Sequence, residues 1–271
     1  MLGAIIGDLA GSIYEYDECF NKSSLKQRLS RLTNPNLIEK DSFYSDDTIL
    51  TIAILDSIIS HIPYETKLRE YGLTYYKQKP KTNAHHFKYM FSPGFIKWCR
   101  QEKKGNSKGN GALMRISPVA YLYNDLKTIL NETRKATIPS HNDEQVIHAA
   151  QKISTVIYLA RCDIPKLQIR KRVYPNSDLS LSHLQEHNTF DSTYQILEAC
   201  LCVLFNSSNF EDAIRKAISI GGDTDTIACI VGSMAEAIYG IDKSLKDEAL
   251  DKLPQNFQNI LQSGYQKVKK I

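Results

Sequence analysis

Between residues 49 and 59 the chain sets Ile49, Leu50, Ile52, Ala53, Ile54, Leu55, Ile58 and Ile59 nearly all round a helix. Such a helix has no polar face to turn to water, so other helices must cover it on every side. The covering helices are readable from the same period. Residues 144–160 carry Val146, Ile147, Ala150, Ile153, Val156, Ile157 and Leu159, and residues 192–206 carry Tyr194, Ile196, Leu197, Ala199, Leu201, Val203, Leu204 and Phe205. Shorter helices fit 210–219 and 225–239, the latter running to Gly240, a residue suited to ending a helix. A last amphipathic stretch covers 244–269. No run alternates apolar and polar residues between hairpin turns, so no strand is expected. The polar segments 21–42, 77–93 and 163–190 read as surface loops or short helices. The expectation is an all-α bundle, one domain over 1–271, with loops carrying the chemistry.

A chain of 271 residues can bury about three quarters of its unfolded surface, so it needs no disulfide framework. Its six cysteines, Cys19, Cys99, Cys162, Cys200, Cys202 and Cys229, include no Cys-x-x-Cys pair and read as reduced thiols, mostly in the core. Cys200 and Cys202 point to different faces of their helix. The net charge of +4 suits a small anionic ligand but is too weak to indicate nucleic acid. The apolar N-terminus lacks a basic region and is interrupted by Asp8, and no apolar run reaches the ~18–20 residues of a membrane span. A soluble, cytoplasmic monomer without membrane or nucleic-acid partners is expected; secretion without a cleaved signal would leave no trace in the sequence.

Two acidic clusters stand at predicted helix starts. Ser45-Asp46-Asp47-Thr48 precedes the 49–59 helix, and Asp223-Thr224-Asp225-Thr226, after Gly221-Gly222, precedes the 225–239 helix. Acidic side chains at a helix N-terminus gain roughly 0.3–1 kcal/mol each, and the hydroxyls can cap. Either cluster alone therefore reads equally well as a capped helix. A cap needs one oxygen, however, and each cluster offers two carboxylates. Neighbouring carboxylates repel, and burying them unpaired is costly. A hard divalent cation resolves both problems. Brought together, four carboxylates could hold two cations ~3.5–4 Å apart.

Asn106-Ser107-Lys108-Gly109-Asn110-Gly111-Ala112-Leu113-Met114-Arg115 reads either as a turn or as an anion site of exposed amides; it is not a P-loop. In residues 3–16, Gly3, Gly7 and Gly11 form a smooth ridge. Each glycine costs roughly 1 kcal/mol against alanine in a helix, so the ridge implies close helix packing. Asp8 and Glu15 share a similar face of that helix, with Glu15 at its end, where a solvated carboxylate is the plain alternative. Elsewhere His85-His86 reads as solvated, Trp98 as core and His148 as a hydrogen-bonded interior or boundary residue.

In chain order, Gly7-Asp8-x-x-Gly11-Ser12-x-x-Glu15, Ser45-Asp46-Asp47-Thr48, Asn106-Ser107-x-Gly109-Asn110-Gly111-Ala112-x-Met114-Arg115, Ser140-His141-Asn142 and Gly221-Gly222-Asp223-Thr224-Asp225-Thr226 resemble the ADP-ribosylglycohydrolase family. The resemblance implies a compact orthogonal helical bundle with a cleft holding two Mg²⁺ or Mn²⁺ ions. It implies Ser45, Asp46, Asp47, Asp223, Asp225 and Thr226 as metal ligands. Ser107, Gly109, Asn110 and Gly111 would hold diphosphate and ribose, with His141 and Asn142 on the adenosine-ribose side and Gly221 and Gly222 also at the substrate. Glu15 matches the acidic residue of a flap over the metals, and Glu15, Asp46 and Asp47 are the candidates for moving the proton. Lys108 stands where the family often has an aromatic residue, and would suit a nearby phosphate. The implied reaction is hydrolysis of the C1″ bond of an ADP-ribose conjugate, an ADP-ribosylated protein with arginine as first choice. An ADP-ribose-binding module without turnover and a metal-dependent phosphohydrolase acting on ADP-ribose or a related nucleotide are the alternatives.

Overall fold

The computed structural model describes residues 1–16, 23–78, 90–101, 103, 105–175, 178–187, 189–269 and 271. His85 and His86, and Cys19, lie outside the described residues. Among those described, the regular structure is helical throughout: α1 (Leu2–Tyr16), α2 (Leu25–Ser30), α3 (Asp46–Ser60), α4 (Tyr64–Tyr75), α5 (Pro93–Cys99), α6 (Ser117–Leu122), α7 (Leu126–Thr137), α8 (Glu144–Arg161), α9 (Lys166–Val173), α10 (Leu181–Glu186), α11 (Thr193–Phe205), α12 (Phe210–Ser219), α13 (Thr224–Tyr239), α14 (Lys243–Asp251) and α15 (Gln255–Lys267). The expected all-α class is what the chain adopts. No helix among the described residues is long and apolar enough to cross a membrane.

Two helices organise the core. The all-round apolar α3 is buried continuously from Asp47 to Leu55 and is covered by α1, α4, α6 and α15. The second hub, α13, is buried from Thr224 to Ala235 and packs against α1, α8, α11 and α12. Helix α1 touches both hubs, and the glycine ridge is what lets it approach. A Cβ on Gly3, Gly7 or Gly11 would sit 2.3, 2.0 or 2.4 Å from a carbonyl oxygen of α13, those of Gly232, Ala228 and Thr224. Thr224 Oγ1 closes the contact by donating to Gly11 O at 2.9 Å. Helix α13 ends at Gly240 with φ +71°, a conformation that favours glycine.

Several elements depart from the sequence expectation for physical reasons. The stretch 244–269 is two helices, because Pro254 stands at the N-terminal boundary of α15, where its missing N–H and ring end the preceding helix. Helix α4 carries too little apolar period to announce itself, and α7 is inconspicuous because its buried face is largely threonine and alanine. The inner face of α7 is Ile129, Thr133, Ala136 and Thr137, and Thr133 Oγ1 is satisfied by Ser154 Oγ of α8 at 2.8 Å. His148, expected at an interior or boundary position, is exposed on the outer face of α8. The described cysteines are free, with Cys99, Cys200, Cys202 and Cys229 buried, and Cys200 and Cys202 reach different carbonyls, those of Ile227 and Leu179.

Candidate active site

The two acidic clusters meet. Thr226 Oγ1 donates to Asp47 Oδ2 at 3.3 Å, across 179 residues of sequence. Helix α1 adds Asp8 and Glu15 from its ridge side. Asp8, Asp47 and Asp225 each offer an oxygen within 4.8 Å of the others, and Glu15, Asp223 and Asp225 form a second such set. The sequence sets Asp8 on the face of Glu15 and within the first motif without marking it as a ligand; its place in the cluster follows from the glycine ridge pressing α1 onto α13.

The capping reading of the first cluster holds. Ser45 caps α3 by accepting from Asp47 N, and its hydroxyl donates to Asp47 Oδ2 at 3.1 Å. Asp8 Oδ2 secures the same helix start, accepting from Ser45 N, Thr48 N and Thr48 Oγ1 at 2.9, 3.1 and 2.5 Å. The second cluster behaves differently. Asp223 makes no capping bond to α13, and Gly221 and Gly222, at φ +78° and +75°, turn the chain so that Asp223 faces the cavity. Asp225 Oδ1 accepts from Thr226 N at 2.8 Å.

The electrostatics of the cluster are unbalanced. Burial, with repulsion from Asp223, Asp46 and Asp8, pushes the Glu15 carboxyl up to about 8. Burial and the charges of Asp8 and Asp223 push Asp46 up to about 8, and burial holds Asp8 at about 6 despite its three donors. Asp47 and Asp225 are raised well above the carboxylate range by burial and their acidic neighbours. Asp8 Oδ1 and Asp47 Oδ1 are buried without a hydrogen-bond partner. Carboxyl groups with orphaned oxygens in so close a set are what a divalent cation satisfies, so the residues present fit the metal that the family resemblance implies. Asp46 lines the same cavity but belongs to neither close set.

That cavity encloses about 820 Å³, within the usual range for a small-molecule site. One part is carboxylate: Glu15, Asp46, Asp47, Asp223 and Asp225, with Ser45 and Thr226. Another is the glycine loop, where Ser107, Gly109, Asn110 and Gly111 line the wall beside His141. The loop is zipped to the segment after α7 by Gly105 N to Pro139 O, Ser107 N to Ser140 O and Asn142 N to Gly105 O, at 2.8, 3.1 and 3.2 Å. A Cβ on Gly105 would lie 2.4 Å from Ser140 O, so glycine is required there. Asn142 serves this pairing and, like Gly221 and Gly222, is not part of the cavity lining. Lys108 points away: its side chain is 82% exposed, 3.8 Å from Asp143.

A third wall was not foreseen as part of the site. Phe43, Leu50, Met90, Phe91, Phe95, Trp98 and Met114 make it apolar and aromatic, with Phe91 and Phe95 stacked at 5.3 Å. Trp98 is core, as expected, yet also lines the cavity. The available signal was the aromatic pair four residues apart at the start of a short helix. Arg115, Ser140 and Asn106 also line the cavity without having been assigned a role.

Several known proteins are similar to this chain. A zebrafish (Danio rerio) ADP-ribosylhydrolase ARH3 is 22% identical over 307 residues, covering 89% of this chain and 82% of that one. An ADP-ribosylarginine hydrolase Tri1 of Pseudomonas putida is 23% identical over 179 residues, 61% of this chain and 48% of that one. A solved structure described as an ADP-ribosylglycohydrolase-related protein complex superposes with a TM-score of 0.71 at 19% identity, covering 98% of this chain and 95% of that one. The ADP-ribosylglycohydrolase family model matches residues 1–269, and the chain belongs to the ADP-ribosylglycohydrolase family.

Proposed function

We propose that the chain acts as a single catalytic domain, a divalent-metal hydrolase that releases ADP-ribose from an ADP-ribosylated acceptor by breaking the bond at C1″. The observation that carries the reading is the convergence of two carboxylate sets on one cavity whose opposite requirements, anionic oxygens for cations and open backbone for an anion, suit a diphosphate-linked sugar. Asp8, Asp47, Asp223 and Asp225 would hold Mg²⁺ or Mn²⁺, with Ser45, Asp46 and Thr226 contributing further oxygens. Bound there, the cations supply positive charge that offsets the carboxylates and a fixed anchor for ribose oxygens.

The remaining work falls to the chain. Within the loop the amides of Ser107 and Gly109 are taken by Ser140 O and Ser107 Oγ, so the backbone at Asn110 and Gly111 and the Ser107 side chain are what it would offer the diphosphate. The Phe91 and Phe95 rings offer a flat apolar surface beside it and keep water from that part of the cavity. Orientation of this kind can contribute several kcal/mol to lowering the barrier, on the order of 7 or more in favourable cases. The C1″ centre develops oxocarbenium character as its bond breaks, and nearby carboxylates favour that charge. Of the candidates for moving the proton, Asp47 is fixed by two hydroxyls and fully buried. Glu15 is half-buried and its carboxylate has no hydrogen bond to any described residue, so we assign it the mobile role.

Arginine is the first acceptor to try, in keeping with the ADP-ribosylarginine hydrolase among the relatives. The test is a panel of ADP-ribosyl conjugates on arginine, serine, nucleobase and acetate, assayed with Mg²⁺ or Mn²⁺ for free ADP-ribose. Asp46→Ala and Asp225→Ala should abolish release while the circular dichroism spectrum stays helical, and chelator should stop the wild type. Binding of ADP-ribose with no cleavage of any conjugate would overturn the enzymatic reading in favour of a binding module, and release of AMP or phosphate would overturn it in favour of phosphohydrolysis.

A further inference from the structure

Arg115, Ser140 and His141 form a buried chain that the chemistry above leaves unused. Arg115 is 1% exposed and Ser140 and His141 are each 4% exposed. Arg115 Nη2 donates to Ser140 Oγ at 2.6 Å, and Ser140 Oγ lies 2.7 Å from His141 Nδ1. A guanidinium carries donors only, so the serine oxygen accepts from Arg115 and the serine proton still needs a destination. Among the described residues no other hydrogen bond engages that hydroxyl. If Nδ1 carried a proton, two donors would meet at one oxygen and the proton of this nearly buried serine would have no acceptor among the described residues, which is penalised. The proton therefore goes to Nδ1. The ring is neutral, because burial and the adjacent Arg115 cation push its pKa down to about 3.

We infer that Arg115 and Ser140 are positioning residues that lock His141 in the tautomer bearing its proton on Nε2, so that His141 presents one fixed donor to an acceptor oxygen of the ligand. His141 lines the cavity, and the edge that carries this proton lies beside Gly111. A Cβ at position 111 would lie 3.5 Å from Nε2 and 3.3 Å from Cε1, so the glycine leaves that edge open. The backbone pairing of Ser107 with Ser140 holds the ring in register with the loop. A ligand group at this point must be an acceptor, a phosphate or ribose oxygen, and an amine there is disfavoured. The choice of oxygen rests on the ADP-ribose reading; the tautomer does not.

The test uses the full chain with ¹⁵N-labelled histidine imidazoles and a long-range ¹H–¹⁵N correlation spectrum at pH 7, with His141→Gln identifying the signal. The expected wild-type spectrum shows His141 with a protonated Nε2 and an unprotonated Nδ1. Ser140→Ala should release the lock, giving a mixture of tautomers or Nδ1–H, and weaken ADP-ribose binding in titration calorimetry by about tenfold, the weight of one hydrogen bond to a charged acceptor. Ser140→Thr, which keeps the hydroxyl, should restore both readouts. A wild-type His141 protonated on Nδ1, or a Ser140→Ala variant that keeps Nε2–H in full, would overturn the inference. Should Ser140→Ala not fold, the wild-type spectrum alone decides. A wild-type protein that holds Nε2–H but binds no ADP-ribose upholds the lock and overturns the function proposed above.

Discussion

Replacing Asp47 by asparagine should make the protein more stable and inactive at the same time. Asp47 is 1% exposed, its Oδ1 has no partner, and Asp8 and Asp225 lie within 4.8 Å of it. Asp8, better supplied with donors, still ionises at about 6 rather than 3.8, which at about 1.4 kcal/mol per tenfold change is a penalty of about 3 kcal/mol for its charge above pH 6. Asp47 is pushed the same way with weaker support. Asparagine keeps an oxygen for Ser45 and Thr226, removes one charge and turns an N–H toward its acidic neighbours. Allowing for relaxation, the cation-free fold at pH 8 should gain about 1–3 kcal/mol, or roughly 2–5 °C in melting temperature for a chain of this size. The assay is thermal unfolding in chelator and again in excess Mn²⁺. The wild type should start lower and rise by about 2.7 kcal/mol at a hundredfold excess over Kd, whereas the variant should start higher and respond little. ADP-ribose release by the variant should fall at least a hundredfold, about 2.7 kcal/mol of lost transition-state stabilisation. A variant less stable than wild type in chelator by more than about 1 kcal/mol would refute the reasoning, because the carboxylate would then be held for its own hydrogen bonds.

The same imbalance sets a pH dependence: carboxyls raised in the folded state, Asp8 to about 6 and Glu15 and Asp46 to about 8, stabilise the cation-free fold fully only below their unfolded values of about 4. Its melting temperature in chelator should fall as pH rises from about 4 to about 8, and the stabilisation by Mn²⁺ should grow over that window as bound protons are displaced; a flat or rising profile in chelator counts against the cluster. Gly7→Ala puts a Cβ 2.0 Å from Ala228 O and should cost at least about 1–3 kcal/mol by denaturant unfolding, with weakened Mn²⁺ binding because Asp8 moves with α1; wild-type stability would show that α1 and α13 are less tightly packed than described. Glu15→Gln should retain Mn²⁺ binding within about tenfold yet lower turnover by about 10²–10⁴ if Glu15 moves the proton, whereas unaltered turnover would hand that role to Asp47 or Asp46.

What the sequence revealed and what it hid divide along a physical line. Helices α3, α8, α11, α12 and α13 bury broad apolar faces, so their period is plain in the residue pattern. Helix α7 hides because threonine and alanine make up much of its inner face, and α4 because a buried Lys67 sits beside Leu68 and Tyr71 on its packed face. The acidic clusters and the glycine loop are contiguous in sequence and so could be found by type and spacing. Asp8 could be placed on the face of Glu15 but not against Asp225, because that proximity depends on how closely α1 packs on α13. Likewise the sequence offers His141 as a substrate-side residue but hides that Arg115 reaches it through Ser140, and Trp98 reads as ordinary core until a cavity opens beside it.

The contact between α1 and α13 also has a consequence in time. Gly11 and Thr224 are 213 residues apart, so the cluster is the product of a long-range closure, of the kind that is entropically expensive and slow. During synthesis Asp8, Glu15, Asp46 and Asp47 emerge well before Asp223 and Asp225 exist. A nascent chain must therefore carry four carboxylates without their partners, and it can bind no cation at the finished site until α13 has left the ribosome and docked. Ion binding here would report that the two ends of the fold have met, and ions supplied during refolding should slow unfolding of the closed state more than they speed its formation.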